Sequence, residues 1–324
     1  MNFAIIGAGD IAAKMAETAK KIKDMNCYAI ASRNIKKAED FAAKYGFEKA
    51  YGSYEELATD KNVDLIYIAT PHSHHYQHIK LCLENNKNVL CEKAFTANAS
   101  QAKEVISLAR QKKCLLAEAI WTRYMPSAKI INDIIDSGII GEPCSLTANL
   151  GYCIENKERI SDPALAGGAL LDLGVYTLNF AFMVFGNDIE RVVSSAVITS
   201  GGVDDKNSIC IIFAGGKQAL LHSTTCSRTD RRGVIYGNKG YMEIDNINNC
   251  GVIKVFDGDG VLKEEHTVPE QISGYEYEVI SCMRAINQGE IECPEMPHEE
   301  IIFVMEFMDK LRREWGVVYP FDKW

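Results

Sequence analysis

The sequence lacks the features of a membrane protein and of a disulfide-stabilised protein. Its apolar runs are short, with 180–185 among the longest, whereas a membrane span needs about 20 such residues. Its 11 cysteines lie singly between Cys27 and Cys293, without a C-x-x-C pair. This spacing argues against a disulfide framework or a zinc site and predicts reduced thiols in a cytoplasmic protein. We therefore expect no membrane partner and no bound metal.

Positive charge is also scarce. Lysine and arginine total 35 against 44 aspartate and glutamate residues, which gives a net charge of −9 at pH 7. A field of this sign repels nucleic acid and anionic membrane surfaces, so we expect neither as a partner. The opening MNFAIIGAGDIA has no basic segment, twin arginine or cleavage site, and we expect no targeting peptide.

The chain is long enough for two domains. Its 324 residues exceed the size at which single hydrophobic cores stop growing, about 250–300 residues. Strand and helix patterns alternate with short turns up to residue 119, which predicts a doubly wound parallel sheet. From 142 to 154 and from 189 to 268, strands are separated by Gly, Asn and Asp turns. We predict domains at 1–119 and 120–324, the second an α+β domain with a large, mostly antiparallel, open sheet.

One face of that second sheet has no predicted cover. A helix that begins near Leu170 is expected to pack over the other face, and helices at about 275–287 and 298–314 end the chain. An uncovered sheet face meets either water or a second subunit. We expect a homodimer formed through this sheet.

A glycine fingerprint stands at the start of the chain. The apolar run 3–6 predicts a strand, and it leads into GAGDIA and then into a helical pattern. Gly7 permits a tight turn, and Gly9 lets the backbone lie against a pyrophosphate. Asp10 and Ile11 open the helix, whose free amides and dipole point at the phosphates. The glycine spacing by itself is weak evidence, but the strand before it and the helix after it agree with it, so we predict dinucleotide binding; the alternative is a plain strand–helix turn.

The end of the second strand, 27–31, predicts which dinucleotide binds. An acidic residue at this point binds the ribose 2′-hydroxyl of NAD, and none is present. Ser32 can donate to a 2′-phosphate, and Arg33 can pair with it while stacking on adenine. The alternative is a solvated loop arginine. We predict NADP as the cofactor, with NAD possible.

Histidines cluster after the strand 64–69. The segment Thr70-Pro71 is followed by four histidines within 72–78, but no carboxylate or thiol shares the cluster and its spacing matches no zinc signature. The loop follows the C-terminal end of a strand, where open α/β sheets bind their ligands. We interpret Thr70, Pro71 and His75 as a cofactor-edge loop rather than a metal site.

The next two strands bring further candidates to the same sheet edge. Glu92 and Lys93 follow the strand 88–91, and Lys93 could bind the nicotinamide ribose and lower the pKa of a neighbouring phenol. Trp121 and Arg123 follow the strand 114–118 at the crossing into the second domain. The alternative for Lys93 is an ordinary exposed lysine, and the alternative for Trp121 and Arg123 is packing between the domains.

The stretch GGALLDLGVY, residues 167–176, carries the candidate chemistry. Paired glycines allow a close backbone approach, and a helical pattern opens at Leu170. Asp172 and Tyr176 are four residues apart, so a helix presents both on one face. A carboxylate beside a phenol suits proton transfer. The alternative is a carboxylate near a helix N-terminus and a core tyrosine.

Together these motifs resemble a known family. The chain is similar over its full length to Gfo/Idh/MocA-type NAD(P)-dependent oxidoreductases, with the nearest resemblance to the dimeric dihydrodiol dehydrogenase and NADP-dependent D-xylose dehydrogenase branch. The resemblance rests on these motifs: GAGDIA, ASRN, CEKAFT, AEAIWTRYMP, GGALLDLGVY, SGYEYEV and REWGVVYPF. One departure is Ala94, where the family usually has proline, and it leaves the backbone at Lys93 less fixed.

The resemblance implies a Rossmann domain, a C-terminal dimerisation domain and a catalytic trio of Lys93, Asp172 and Tyr176. We expect hydride transfer between NADP(H) and a hydroxyl-bearing carbon of a sugar, polyol or trans-dihydrodiol, with Tyr176 exchanging the proton. Trp121 and Tyr275 are the candidates for an apolar or sugar-stacking wall. Two alternatives stay open, a redox-neutral glycoside hydrolase with a retained nucleotide and a non-catalytic nucleotide-binding regulator.

Overall fold

The computed structural model describes residues 1–323, which form two compact units. The first unit contains Met1–Tyr124 and Gln271–Met305. The second contains Met125–Glu270 and the described residues from Glu306 onward. The division into domains at 1–119 and 120–324 stays a prediction.

The first unit is built on a parallel sheet. Its strands are β1 (Asn2–Ile6), β2 (Asn26–Ala31), β3 (Lys49–Tyr51), β4 (Leu65–Ile68), β5 (Asn88–Glu92) and β6 (Leu116–Ala119). They lie in the order β3-β2-β1-β4-β5-β6, and every neighbouring pair is parallel. This is the doubly wound order of a dinucleotide-binding fold, so the predicted Rossmann sheet is confirmed.

Helices connect these strands. They are α1 (Asp10–Ala19), α2 (Ile35–Tyr45), α3 (Tyr54–Thr59), α4 (His72–Glu84) and α5 (Ala99–Lys112). Phe3, Ile5, Leu65 and Ile68 have no exposed surface. Because a parallel sheet is covered on both faces, its strands read as continuous apolar runs rather than as alternating ones. That is the pattern on which the sequence prediction rests.

The second unit is built on a larger sheet. After α6 (Pro126–Ser137), its strands and short helices are β7 (Pro143–Gly151), α7 (Glu158–Ser161), α8 (Val175–Phe185), β8 (Ile189–Ile198), β9 (Asp204–Phe213), β10 (Gln218–Thr224), β11 (Gly233–Gly237), β12 (Gly240–Ile244), β13 (Val252–Asp257) and β14 (Leu262–Thr267). Their order is β14-β13-β12-β11-β7-β10-β9-β8. Only β7 and β10 pair in parallel among the described strands of this sheet, which confirms a mostly antiparallel sheet.

The two faces of this sheet differ. Leu146 and Ile211 are buried on the face where α8 packs against β7 and β10. On the opposite face, Val193 is 56% exposed and Leu220 is 49% exposed. We call this second surface the open sheet face. A shallow depression of about 530 Å³ lies on it, over β7, β8, β9 and β10.

Two further helices follow, α9 (Glu276–Gln288) and α10 (His298–Trp315). Both agree with the predicted helices near 275–287 and 298–314. Within the first unit, α9 packs against β5 and α1. The 271–288 segment therefore returns from the large sheet to the nucleotide-binding unit.

One described helical stretch is longer and more apolar than the sequence prediction allowed. Pro163–Phe185 has a mean hydropathy of 1.5, enough by length and composition to cross a membrane. However, 83% of its most apolar window is buried in the fold. A helix that is apolar all round is also what the core of a globular domain requires. Its continuous helical part, Leu170–Phe185, is a core helix.

Candidate active site

The glycine turn after β1 forms a cradle in the first unit. Gly7 has φ +98°, and a Cβ there would lie 2.9 Å from the Ala69 carbonyl oxygen. By contrast, a Cβ at Gly9 would meet no atom within 4 Å. Gly9 is the N-cap of α1, and it has no side chain that could accept a hydrogen bond from the first amides of that helix. Asp10 and Ile11 begin that helix.

The position of this cradle in the sheet suits a dinucleotide. β1 and β4 are neighbours, and the chain leaves them in opposite directions along the sheet. Open α/β sheets bind their ligands in the crevice at such a switch point. The clear space at Gly9 and the amides of α1 fit a pyrophosphate. The residues present therefore fit the nucleotide that the sequence predicted.

The loop after β2 is basic. Ser32 is buried, and its Oγ accepts a 3.4 Å hydrogen bond from the Asn34 amide. Asn34 in turn caps α2 by accepting from the Lys37 amide at 3.2 Å. Arg33 is exposed and lies near His74, whose pKa is lowered by burial and further by that guanidinium. The loop therefore offers positive charge and no carboxylate where the adenosine ribose binds in this fold.

His75 joins two of the candidate loops. It is fully buried, with Nε2 lying 2.7 Å from the Thr70 carbonyl oxygen and Nδ1 lying 2.9 Å from that of Ala94. Burial lowers its pKa to about 4. A neutral imidazole donates through one nitrogen only, so one of the two carbonyls receives the hydrogen bond. The ring holds the end of β4 against the end of β5, and Pro71 caps α4 between them.

The histidine cluster offers no metal site among residues 1–323, where no group of three or more His, Cys, Asp and Glu side chains could hold an ion. Instead, His78 Nδ1 lies 3.0 Å from Thr70 Oγ1, and its ring lies edge-on to Tyr54 at 4.6 Å. These contacts give the cluster a packing role beside the sheet edge.

The segment after β5 is held on two sides. Lys93 is partly exposed, and the Lys93–Ala94 peptide bond is cis. The Phe95 amide donates to Glu118 Oε1 at 3.1 Å, opposite the contact between His75 and Ala94. Burial raises the pKa of Glu118 to about 8. The sequence interpretation missed Glu118, although a glutamate inside the predicted buried strand 114–118 was a usable signal.

Buried polar groups continue beneath this segment. Glu92 is 8% exposed and accepts a short hydrogen bond from the Tyr67 hydroxyl. Arg123 forms an ion pair with Glu300, so its charge is balanced within the first unit. The predicted cofactor roles of Glu92, Lys93 and Arg123 stay predictions.

The two candidate wall residues are in contact. The rings of Trp121 and Tyr275 stack with centroids 4.3 Å apart and planes 11° from parallel. Trp121 is 6% exposed, whereas Tyr275 is partly exposed. The segment 271–305 thus supplies an aromatic ring to the end of β6, a placement that the sequence alone does not give. A substrate role for this stack stays a prediction.

The predicted catalytic helix begins with a widened turn. Leu170–Gly174 is a π-helix that runs directly into α8, whereas the sequence predicted a regular start. Gly174 permits this close packing, because a Cβ there would lie 3.0 Å from Leu170 Cδ1 and 3.2 Å from Ser223 Oγ. Single π-turns inside helices are frequent at functional sites.

This turn carries Asp172, and Tyr176 follows on the first turn of α8. Both side chains are largely buried, at 3% and 9% exposure. Asp172 Oδ1 accepts a hydrogen bond from Arg159 Nη1 at 2.7 Å. Arg159 lies in α7, in a loop whose path the sequence did not predict. Asp172 and Tyr176 belong to the second unit and Lys93 to the first, and their joint action stays a prediction.

Comparison with known proteins identifies the family. Residues 1–120 match the model of the oxidoreductase family with an NAD-binding Rossmann fold, and residues 129–243 match the GFO/IDH/MocA C-terminal domain. Trans-1,2-dihydrobenzene-1,2-diol dehydrogenase of Mus musculus is 32% identical over 336 aligned positions, covering 100% of this chain and 99% of its own. The enzyme of that name from Xenopus tropicalis is 34% identical over 303 positions, covering 92% of each chain.

Solved structures share the fold. A 3-ketoreductase from Actinomadura kijaniata, in complex with NADP and TDP-benzene, superposes with a TM-score of 0.87 at 24% identity over 97% of each chain. An aldose-aldose oxidoreductase from Caulobacter crescentus, complexed with glycerol, gives 0.86 at 20% identity over 97% of this chain and 96% of its own. With the Rossmann order, the glycine cradle and the full-length relatives in agreement, the chain belongs to the Gfo/Idh/MocA oxidoreductase family and is a nicotinamide-dependent dehydrogenase acting on CH–OH groups.

Proposed function

We propose that this dehydrogenase transfers a hydride between NADP(H) and a hydroxyl-bearing carbon of a sugar, polyol or trans-dihydrodiol. The observation that carries the proposal is the buried pair Asp172, on the π-turn, and Tyr176, on the first turn of α8. A general acid–base needs a titratable group in a water-poor, fixed position, and this turn supplies one. The relatives named trans-1,2-dihydrobenzene-1,2-diol dehydrogenase support the substrate class.

Different residues of the chain would bind different parts of the cofactor. Gly7, Gly9 and the α1 amides of Asp10 and Ile11 would hold the pyrophosphate. Ser32 and Arg33 would bind the 2′-phosphate, which makes NADP the preferred form, with NAD as the alternative. The nicotinamide end would lie among these residues: Thr70, Pro71, His75, Glu92, Lys93, Trp121 and Arg123. When bound, the nicotinamide accepts the hydride in oxidation and returns it in reduction.

Tyr176 would move the proton. In oxidation its phenolate takes the proton of the substrate hydroxyl, and in reduction the phenol protonates the developing alkoxide. A free phenol has a pKa of about 10, so it needs a neighbouring positive charge to act near neutral pH. Lys93 would supply that charge, and Asp172 would orient Lys93 or the substrate hydroxyl. Trp121 and Tyr275 would form the apolar wall against the substrate.

The decisive test is Tyr176→Phe. We expect turnover to fall by about 10²- to 10⁴-fold, as for a lost acid–base group, while NADPH affinity is kept. Tyr277→Phe, which removes the hydroxyl of a partly exposed tyrosine on α9, is the matched control. Undiminished turnover in Tyr176→Phe would contradict the proposal. Product formed from a glycoside without net reduction of tightly retained nucleotide would favour the hydrolase instead, and nucleotide binding without any turnover would favour the regulator.

A second test addresses the cofactor. Arg33→Gln removes the positive charge beside the proposed 2′-phosphate, and one lost charge-assisted hydrogen bond should raise KM for NADP by about tenfold or more. KM for NAD should change much less, because NAD has no 2′-phosphate and loses only the stacking of the guanidinium on adenine. Lys44→Gln, on the last turn of α2, is the control. Equal effects on the two cofactors would remove Arg33 from cofactor discrimination.

We further propose that the protein is a homodimer through the open sheet face and acts in the cytoplasm. Support for the dimer is the exposure of Val193 and Leu220 on that face. Large exposed apolar patches mark association surfaces. Support for the cytoplasm is that all 11 cysteines are free thiols in the described chain.

A further inference from the structure

The turn that leads into Asp172 is held from outside by two side chains. The Tyr319 hydroxyl donates to the Gly167 carbonyl oxygen at 2.5 Å. The Leu170 amide donates to Asp204 Oδ2 at 2.9 Å, and Asn207 Nδ2 donates to the same oxygen at 2.9 Å. Both partners are distant in sequence from the turn, so tertiary contacts hold it in addition to the local hydrogen bonds that the Gly167 and Gly168 amides donate to Asp162 and Ile160.

The space around this contact admits little adjustment. Gly168 has φ +116°, and a Cβ there would lie 2.4 Å from Asp204 Oδ1. Asp204 itself has no exposed surface, and its Oδ1 has no hydrogen-bond partner. The carboxylate therefore touches the turn at two points, through a hydrogen bond to Leu170 and through close packing on Gly168.

Tyr319 is fixed in turn by a buried ion cluster. The Arg312 guanidinium lies 4.2 Å from the centre of the Tyr319 ring. Arg312 has no exposed surface and pairs with Asp309 at 2.8 Å and with Asp322 at 2.7 Å. The Tyr319 amide also donates to Asp322 at 2.8 Å. Its hydroxyl is thus aimed at Gly167 by a rigid support.

A carboxylate at position 204 does not serve stability. Burial raises the pKa of Asp204 to about 6, an effect to which Asp205 adds and which the hydrogen bonds from Asn207 and Leu170 oppose. Tyr319, which also faces Asp204, has a pKa raised by burial as well. An ionised group in such a site lowers stability, whereas an amide would accept the same hydrogen bonds without that penalty. The carboxylate's gain is a stronger, directional hold on the Leu170 amide.

We propose that Asp204 and Tyr319 are positioning residues for the dehydrogenase reaction: together they fix the Gly167–Leu170 turn and so set the direction in which the following π-turn presents Asp172 and Tyr176. The inference rests on the proposed role of Tyr176. Displacements of about 1 Å at a reacting group are enough to lower rates by about 10²-fold, so a loosened turn should affect turnover before it affects binding.

The test compares Asp204→Asn and Tyr319→Phe with Asp205→Asn, a neighbouring carboxylate that does not contact the turn. We expect kcat to fall at least about tenfold in the first two variants, with substrate KM and NADPH affinity unchanged. Amide hydrogen exchange in the 167–172 segment should accelerate in both. In the reduction direction, where Tyr176 acts as the acid and stays protonated at low pH, wild-type kcat should decline below about pH 6, and Asp204→Asn should lose that acidic decline. Asp205→Asn should keep wild-type kcat and amide exchange near neutral pH, while its acidic decline should lie at slightly lower pH, because Asp205 adds to the raised pKa of Asp204.

Wild-type kcat and wild-type amide exchange in Tyr319→Phe would overturn the inference, and so would an unchanged acidic decline in Asp204→Asn. If Asp204→Asn does not fold, Tyr319→Phe decides, since it removes one hydroxyl. Tyr176→Phe is measured in parallel. Full turnover in Tyr176→Phe would refute the proposed function. In that case, amide exchange in Asp204→Asn and Tyr319→Phe would still show whether Asp204 and Tyr319 hold the turn.

Discussion

Replacing Gly9 by alanine separates ligand binding from folding at the nucleotide cradle. Gly9 has φ −96° and ψ −170°, an extended conformation open to any residue. A methyl group there meets no protein atom within 4 Å. Alanine is a poorer N-cap than glycine, but it also restricts the unfolded chain by about 0.4–1 kcal/mol. These effects oppose each other, so the free energy of unfolding should stay within about 1 kcal/mol of the wild type.

The cofactor should respond differently. The methyl group would occupy the space proposed for the pyrophosphate and push it away from the α1 amides. Loss of one hydrogen bond to a charged group corresponds to about 1.5–3 kcal/mol, or roughly a ten- to hundredfold rise in Kd. Gly9→Ala should therefore fold normally and bind NADPH poorly.

Gly7→Ala provides the contrast. At φ +98° an alanine is strained by about 1–2 kcal/mol, and its Cβ would lie 2.9 Å from the Ala69 carbonyl oxygen and 3.1 Å from Thr70 Cγ2. Overpacking against these atoms adds about 1–3 kcal/mol, so the variant should lose roughly 2–5 kcal/mol of stability. Gly138→Ala is the control for backbone strain alone, because Gly138 has φ +69° and a Cβ there meets nothing within 4 Å.

Thermal unfolding without cofactor and fluorescence titration with NADPH measure the two effects. Gly9→Ala should unfold at the temperature of the wild type, and Gly7→Ala should unfold at a temperature well below those of the wild type and Gly138→Ala. Wild-type NADPH affinity in Gly9→Ala, or a loss of stability there as large as in Gly7→Ala, would refute the proposed nucleotide cradle.

Two further predictions concern other parts of the chain. Burial raises the pKa of Glu118 to about 8 from 4.5, so its contribution to stability is present below pH 4.5 and is lost as pH rises towards 8. Glu118→Gln keeps an acceptor for the Phe95 amide and should reduce the loss of unfolding free energy between pH 5 and 9. In the wild type this loss proceeds at up to about 1.4 kcal/mol per pH unit. Denaturant titrations at pH 5 and pH 9 measure it, and an equal loss in Glu118→Gln and the wild type would contradict the prediction. On the open sheet face, Leu220→Glu should convert the proposed dimer to a monomer in sedimentation, whereas Ile280→Glu, at an exposed position on α9 in the first unit, should not. A wild-type oligomer in Leu220→Glu would contradict the proposed interface.

Most of the first unit was predictable from the sequence. Continuous apolar strands, short turns and the glycine positions are local signals, because backbone sterics and the cover on both sheet faces act on consecutive residues. Gly7 is an example, since its need for a positive φ follows from the turn it makes. The large sheet was predictable from its strands and their Gly, Asn and Asp turns, and the final helices from their sequence patterns, which are also properties of neighbouring residues.

The finer features of the candidate site were not predictable. The π-turn at Leu170–Gly174 depends on how closely Gly174 packs near Ser223, and nothing in the local sequence records that approach. The pairing of Arg159 with Asp172 depends on the path of a loop. The stack of Trp121 on Tyr275 requires a late segment of the chain to return to the first unit.

The sequence alone thus determined the elements and the kinds of chemistry available, because propensity, periodicity and turn sterics are properties of neighbouring residues. The tertiary structure decided which groups are buried, paired or held in place. Asp204 and Glu118 show this most clearly, since each becomes a buried carboxylate in contact with a candidate catalytic or cofactor segment only when distant strands bring it there. Long-range packing buries these carboxylates and removes them from water, and no local sequence pattern encodes that packing.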